Sequence, residues 1–256
     1  ISNKTIHVVC EYVIYIYKLV FKMTQTLIFT ATYNEEKNID KLLNRINSIS
    51  KNIDILIIDD NSPDGTGLKL NQIKEYQKNL NVIIRPKKLG LDTAHKYAYD
   101  FALKNNYLKL ITLDADLSHD PSEIPLMIKI LDNHKFVIGS RYMRGGKCKM
   151  SFLRKMLSYF GNKLIKYVLK INSSEFTTSF RGFNLKKLGN FNLNQINSKG
   201  YSFFMETIFR LNEANVKIIE IPINFKNRTQ GKSKIPKLEI FRTIKNLYLL
   251  KNYKKN

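Results

Sequence analysis

The run at residues 108–113 is almost wholly apolar, and where it ends two carboxylates, Asp114 and Asp116, emerge one residue apart. It reads as a buried strand. On an extended chain, alternate residues share a side, so the spacing predicts that both acids point the same way. A strand this apolar belongs in a sheet covered on both faces, and such parallel sheets present ligands at the carboxyl ends of their strands. Carboxylates there suit a hard cation such as Mg²⁺ or Mn²⁺, which in turn binds phosphate oxygens. Surface turns often carry an isolated Asp-x-Asp. The weight of this one comes from the strand ahead of it.

The rest of the chain repeats the theme of apolar strand and amphipathic helix. Residues 26–32 read as a strand, and Asn34 is placed to cap a helix whose apolar positions Ile39, Leu42, Leu43, Ile46 and Ile49 follow a helical period. A second strand at 53–58 runs into Asp59-Asp60-Asn61-Ser62-Pro63-Asp64-Gly65, a dense turn signal. Helices are expected at 68–78, 92–104 and 124–132, and strands at 81–84, 107–113 and 136–139. This alternation predicts a mostly parallel sheet with helices on both faces. The second half contributes basic amphipathic helices at 154–170 and 236–251, a helix at 200–212 and a strand at 217–221.

With 256 residues, 43% of them hydrophobic, the chain is long enough for one large domain or two small ones. The net charge of +22 attracts polyanions: nucleic acid, anionic lipid or phosphorylated substrates. An AT-biased genome, rich in Lys, Asn and Ile codons, accounts for part of that excess. Nucleic-acid modules show basic strands studded with aromatic residues or a recognition helix, and neither is present. Cys10 and Cys148 lie far apart without metal-ligand spacing, which fits a reduced cytosolic setting. No stretch has the length of a transmembrane helix; residues 8–21 are short and contain Glu11 and Lys18. Residues 1–22 match nothing downstream and read as upstream sequence or an extension, with Met23 a candidate start. The expected division is that extension, a catalytic domain at 23–235 and a basic helix at 236–256.

Asp59 and Asp60 also end an apolar strand, where an acid either bonds a ribose or base or merely caps the next turn. Two acidic strand ends in one parallel sheet point to a nucleotide crevice. Neither G-x-G-x-x-G nor G-x-x-x-x-G-K-[ST] occurs, which argues against a dinucleotide oxidoreductase and a P-loop NTPase. Arg141, Arg181 and the pair Arg228 and Lys234 are candidate phosphate partners, because the guanidinium fork binds two oxygens at once. In so basic a chain a single Arg is more often merely solvated. His7, His95, His119 and His134 share no spacing that suggests zinc, though His119 adjoins the acidic pair.

These residues give the chain a resemblance to the dolichol-phosphate mannosyltransferases, family-2 glycosyltransferases of the GT-A fold. The similarity runs over residues 26–250. It is carried by Thr32-Tyr33-Asn34-Glu35, Asp59-Asp60-Asn61-Ser62-Pro63-Asp64-Gly65-Thr66, Arg85-Pro86-Lys87-Lys88-Leu89-Gly90-Leu91 and Asp114-Ala115-Asp116-Leu117-Ser118-His119. It continues in Gly139-Ser140-Arg141-Tyr142, Ser179-Phe180-Arg181, Lys199-Gly200-Tyr201 and residues 228–234. The resemblance implies a Rossmann-like GT-A sheet with C-terminal amphipathic helices. It implies inverting transfer of mannose from GDP-mannose to a polyprenyl or dolichyl phosphate, with Mg²⁺ or Mn²⁺.

By position, the resemblance implies that Tyr33, Glu35, Ile58 and Asp60 hold the nucleotide and that Asp114 and Ala115 line the nucleotide-sugar site. Asp116 and Ser118 would bind the metal. Arg141, Arg228 and Lys234 would face the diphosphate or the acceptor phosphate, with Asp114, Asp116 and Arg228 at the catalytic centre. Arg154 and Ser158 match positions near the lipid phosphate, which Arg141 would share. A peripheral place on the cytoplasmic face of a membrane follows, that of the endoplasmic reticulum in a eukaryote, with small membrane-anchor subunits as possible partners and no nucleic acid. The helices at 154–170 and 236–251 would lie on the membrane or pack on the catalytic domain. The chain departs from the family pattern at Ala31 for Pro, Asp92 for Gly, His95 for an aromatic residue, Glu175 for Asp and Thr178 for a smaller residue. Asp92 is expected to strain a glycine turn and to repel bound phosphate. The rival readings are a related transferase using another donor such as UDP-glucose, and a non-enzymatic module that binds nucleic acid or membrane.

Overall fold

The computed structural model describes residues 26–49, 53–227 and 239–253. Its frame is a seven-stranded sheet. Three strands, β1 (Thr26–Thr32), β2 (Ile53–Asp59) and β3 (Leu80–Ile84), lie side by side and parallel. On the other side of β1 comes β4 (Lys109–Thr112), followed by β7 (Arg181–Asn184), β5 (Phe136–Ser140) and β8 (Ile218–Pro222). Every neighbouring pair is parallel except the two made by β7, which runs against both β4 and β5. A short parallel ribbon joins β6 (Lys147–Cys148) to β9 (Asn224–Phe225).

The strand sequences explain this layering. Ile55, Leu56, Ile57 and Ile58 are all fully buried, because both faces of β2 are covered. One face packs Leu27, Phe29, Leu56, Ile58 and Leu110 against α3 (Leu91–Lys104) and α7 (Tyr201–Glu213). The other packs Ile28, Ile55, Ile57 and Ile111 against α1 (Ile39–Asn47) and α4 (Ile124–Asn133). α2 (Thr66–Tyr76) covers the β3 edge, and α6 (Leu185–Leu188) is a single turn after β7. α5 (Phe152–Leu169) and α8 (Glu239–Lys251) pack against each other.

The predicted parallel sheet with helices on both faces is present, and most element bounds fall within a few residues of expectation. The differences have local causes. The helix after β1 starts at Ile39, and Asn34 is not its cap: it holds a left-handed φ of 58° and donates its N–H to Ser62 Oγ at 2.9 Å. β4 is shorter than the apolar run, ending at Thr112, with Leu113 N–H donating to Phe29 O at 3.1 Å. The antiparallel β7 was not expected: Arg181-Gly182-Phe183-Asn184 lacks the apolar density of its neighbours. The segment 1–22 and the boundary expected at 235/236 lie outside the described residues.

Candidate active site

The parallel strands bring the expected residues to one edge. Tyr33 and Glu35 follow β1, Asp60 follows β2, the turn Asp114–Ser118 follows β4, and Arg141 follows β5. Because β7 runs the other way, the residues before it, Thr178 and Ser179, arrive at this same edge.

The turn after β4 is built by short-range bonds. Asp114 and Asp116 are not on an extended chain. The backbone curls, with Leu117 at φ 62°, so the alternation of a strand does not govern where the two acids point. Asp116 is buried, and its Oδ1 accepts the Ser118 N–H at 3.0 Å. Ser118 Oγ is buried without a hydrogen-bond partner. Asp114 is half-buried and its Oδ1 accepts from Ser179 Oγ at 2.6 Å. Its N–H donates to Nδ1 of the buried His119 at 3.2 Å, which assigns the ring proton to Nε2, facing Thr178 Oγ1 at 3.1 Å. His119 stacks on Phe180 and meets Phe225 edge to face. Burial pulls its pKa below the usual histidine value against the opposing pull of Asp114 and Asp116, keeping the ring neutral. Lys226 donates its backbone N–H to Ser118 O at 2.9 Å and its Nζ to Asp120 Oδ2 at 2.5 Å.

At β2 the two acids differ. Asp59 is fully buried and structural: Thr32 Oγ1 and Ser62 Oγ donate to its Oδ1 at 2.8 and 2.5 Å. Asp60 pairs with Arg85, and its Oδ2 accepts the Gly90 N–H at 3.1 Å. Arg85 also reaches Thr93 Oγ1 and Gly90 O, so it fastens the start of α3 to the end of β2. Glu35 accepts from Asn38 Nδ2 at 2.7 Å, while its N–H donates to Thr66 Oγ1 at 3.0 Å. Lys88 Nζ stands 3.8 Å over the Tyr33 ring. The Ile58 and Ala115 side chains lie in the core, which leaves their backbone as the part that can face the edge.

Arg141 and Arg181 take different roles. Arg141 makes a bidentate pair with the buried Glu175, Nε to Oε2 and Nη2 to Oε1, each at 2.7 Å. Arg181 turns inward: Nε donates to Thr178 O at 2.8 Å and Nη2 to Phe176 O at 2.9 Å, and its guanidinium lies over Phe204. Burial lowers its pKa to about 9. As a phosphate partner Arg181 is therefore corrected, since the strand side chain faces the core. The strain expected of Asp92 is corrected as well. The positive φ belongs to Gly90, at 98°, and Asp92 sits in the first turn of α3, where a carboxylate is favoured. Arg154 is exposed on α5 and Ser158 half-buried one turn on. Arg228 and Lys234 lie outside the described residues.

Sequence reading missed Glu175, Ser179 and Thr178 as residues acting on the edge. Ser179 meets Asp114 across 65 positions and Glu175 meets Arg141 across 34, so no local period signals either. Arg85 stood in a recognised segment without a role. Its place directly after a strand, where Arg141 also stands, was the available signal.

Among the described residues no group of three or more His, Cys, Asp and Glu side chains converges as a metal cage. Mg²⁺ needs none when it binds through one or two carboxylates with waters and substrate phosphates. A buried carboxylate beside an orphaned buried hydroxyl, Asp116 with Ser118, fits such a hard cation.

The chain is 32% identical over 212 residues to the undecaprenyl-phosphate mannosyltransferase of Micrococcus luteus, covering 82% of this chain and 87% of that protein. It is 31% identical over 214 residues to the polyprenol monophosphomannose synthase of Mycolicibacterium smegmatis, covering 82% of this chain and 81% of that protein. Among solved structures, the glucosyl-3-phosphoglycerate synthase of Mycobacterium tuberculosis with Mg²⁺ and uridine diphosphate shares the fold at a TM-score of 0.64 and 12% identity, over 91% of this chain and 81% of that one. Residues 27–190 match glycosyl transferase family 2, and the chain belongs to that family.

Proposed function

We propose that this chain transfers mannose from GDP-mannose to a polyprenyl phosphate, of the dolichyl class in a eukaryote, with inversion to a β-linked product. The mannosyltransferase relatives support this reading. The observation that carries it is a juxtaposition. The Phe225 ring meets His119 of the acidic turn at 5.3 Å and lies 5.2 Å from the Arg141 guanidinium, and His119 Nδ1 is 3.7 Å from Asp114 Oδ2, so the acidic turn and Arg141 share one edge. Beyond Arg141, the Tyr142 ring meets Tyr159 of α5 at 5.6 Å. A site for nucleotide diphosphate and a helix with an apolar exposed face therefore meet at Arg141–Tyr142.

α5 supports the lipid side. Leu153, Leu157, Phe160, Leu164 and Tyr167 form one exposed stripe at helical spacing, and α8 adds Ile240, Phe241, Ile244 and Tyr248. Lys163, Lys166 and Lys170 flank the first stripe. An apolar stripe edged with Lys suits the interface of an anionic membrane, where the prenyl chain resides. Among the described residues no helix is long and apolar enough to cross a membrane. Peripheral attachment to a cytoplasmic leaflet, directly or through small anchor subunits, follows as part of this reading.

In this mechanism Asp116 and Ser118 would hold Mg²⁺ or Mn²⁺, whose charge stabilises the departing nucleoside diphosphate. Asp114, fixed by Ser179, lines the sugar side, and Tyr33, Glu35 and Asp60 stand at the nucleotide end. The acceptor phosphate is already ionised at neutral pH, so the chain's task is to hold two anions together. Arg141, Arg228 and Lys234 are assigned to those phosphates, with Arg154 and Ser158 on the lipid side. A transfer assay offering GDP-mannose and UDP-glucose, each with a polyprenyl phosphate, tests this reading. Mannosyl-lipid from the first donor alone is expected, and glucosyl-lipid from the second in its place would overturn it.

A further inference from the structure

Arg141 is held by more of the protein than an incidental ion pair requires. Glu175 is wholly buried, and its Oε1 accepts from Arg141 Nη2 at 2.7 Å, from Thr177 N–H at 3.1 Å and from Thr177 Oγ1 at 3.0 Å. Its Oε2 takes Arg141 Nε at 2.7 Å. Thr177 Oγ1 also lies 2.9 Å from Arg141 Nη2. The guanidinium carbon stands over the Tyr142 and Phe225 rings, 5.1 and 5.2 Å from their centroids.

The segment carrying Glu175 is itself fastened on three sides. Glu220 Oε1 on β8 accepts from Ser174 N–H at 2.9 Å, Ser174 Oγ at 2.8 Å and Ser173 Oγ at 3.2 Å. Ser174 Oγ also pairs with Ser140 Oγ on β5 at 2.7 Å. Phe176 N–H donates to Asn162 Oδ1 of α5 at 2.7 Å. The two guanidiniums in this region differ in one respect. Arg181 Nη1 is sealed in the core without a partner, whereas Arg141 Nη1, which also makes no hydrogen bond among the described residues, is not sealed. With Nε and Nη2 gripped, Nη1 is the edge that Arg141 has left to offer.

We propose that Glu175 is a positioning residue, which clamps one edge of Arg141 so that Nη1 is presented to a phosphate oxygen of the substrates. The idea rests on the proposed function for the identity of those substrates and goes beyond it in assigning Glu175. A buried Arg without this clamp would sample several rotamers, and a misaimed donor loses the transition state more than the fold. The shared chemistry is a phosphate dianion or diphosphate, from either the nucleotide or the lipid.

The test is a double-mutant cycle read by binding and turnover. Glu175→Gln keeps the length but removes the charge and leaves one acceptor oxygen, so it cannot take both Nε and Nη2. Binding of GDP and of farnesyl phosphate is measured calorimetrically for the wild type, Glu175→Gln, Arg141→Lys and the double variant, with melting temperature and transfer rate. Glu175→Gln is expected to melt within a few degrees of the wild type and to weaken one ligand by about tenfold, the scale of one charge-assisted hydrogen bond. The ligand that weakens names the phosphate that Arg141 faces. In the Arg141→Lys background the same change is expected to add nothing. An unchanged affinity, a loss that persists in the Arg141→Lys background, an equal loss of both ligands tracking a lowered melting temperature, or a wild type that binds neither ligand would each overturn the proposal. A wild type that binds but transfers no mannose would instead overturn the proposed function alone.

Discussion

Asp92 Oδ1 accepts the backbone N–H of Gly200 at 3.1 Å, across 108 residues of chain. Gly200 holds φ 61°, and the next N–H, that of Tyr201, donates to Glu239 Oε1 at 2.7 Å. Two carboxylates from α3 and α8 thus grip the start of α7. The acid that replaces a family glycine is a fastening. Asp92→Ala is expected to cost about 1.5–3 kcal/mol by losing a charged hydrogen bond. Urea unfolding measures it, and a change below about 0.5 kcal/mol, the scatter of an ordinary surface site, would remove Asp92 from this role.

Gly200 is also a point where a side chain is poorly tolerated. A Cβ there would stand 2.7 Å from Glu239 Oε1 and would have to adopt a left-handed φ. Gly200→Ala is expected to destabilise by about 1–3 kcal/mol and to loosen α8. Proteolysis within 239–253 that is faster than in the wild type reports this, and an unchanged cleavage rate would contradict it.

His95 should make the protein acid-sensitive. It packs among Phe29, Phe203 and Phe204, and burial, with Arg181 adding to it, lowers its pKa from 6.5 to about 3. The unfolded chain therefore binds this proton at a pH where the folded chain does not. The associated stability is fully present above pH 6.5 and falls by about 1.4 kcal/mol for each unit below that, down toward pH 3. His95→Phe is expected to lose less stability than the wild type between pH 7 and pH 5, by about 2 kcal/mol. Parallel pH slopes in denaturant titrations would refute this.

Asp116→Ala is expected to abolish transfer at any Mg²⁺ or Mn²⁺ concentration, while the loss of its hydrogen bond to Ser118 N–H lowers stability by about 1–3 kcal/mol without unfolding the chain. Ser118→Ala keeps the carboxylate and removes the orphaned hydroxyl, so activity should return at raised Mn²⁺. Full activity of Asp116→Ala with Mg²⁺ present would mean that the cation is held elsewhere.

The exposed stripe on α5 should govern attachment rather than folding. Leu157 and Phe160 are 58% and 55% exposed, so replacing both with Ser should leave stability within about 0.5 kcal/mol. Co-sedimentation with vesicles containing anionic lipid should fall several-fold. Undiminished sedimentation would favour some other surface.

The sequence by itself determined the sheet and its chemistry-bearing edge. Ile55 to Ile58 have nowhere to go but inside a covered sheet, and Asp60, Asp114 and Arg141 follow strands whose parallel order puts their ends together. Those signals are local, because a strand's burial is written in consecutive residues. Only the tertiary structure decided that Arg181 turns into the core while Arg141 stays at the edge. Both are arginines at strand ends, but β7 runs antiparallel and presents its first residue inward. The pairs Asp92–Gly200, Ser179–Asp114 and Glu175–Arg141 were likewise decided by packing. A hydrogen bond between residues far apart leaves no period in the chain, and its partner is chosen only when the layers close.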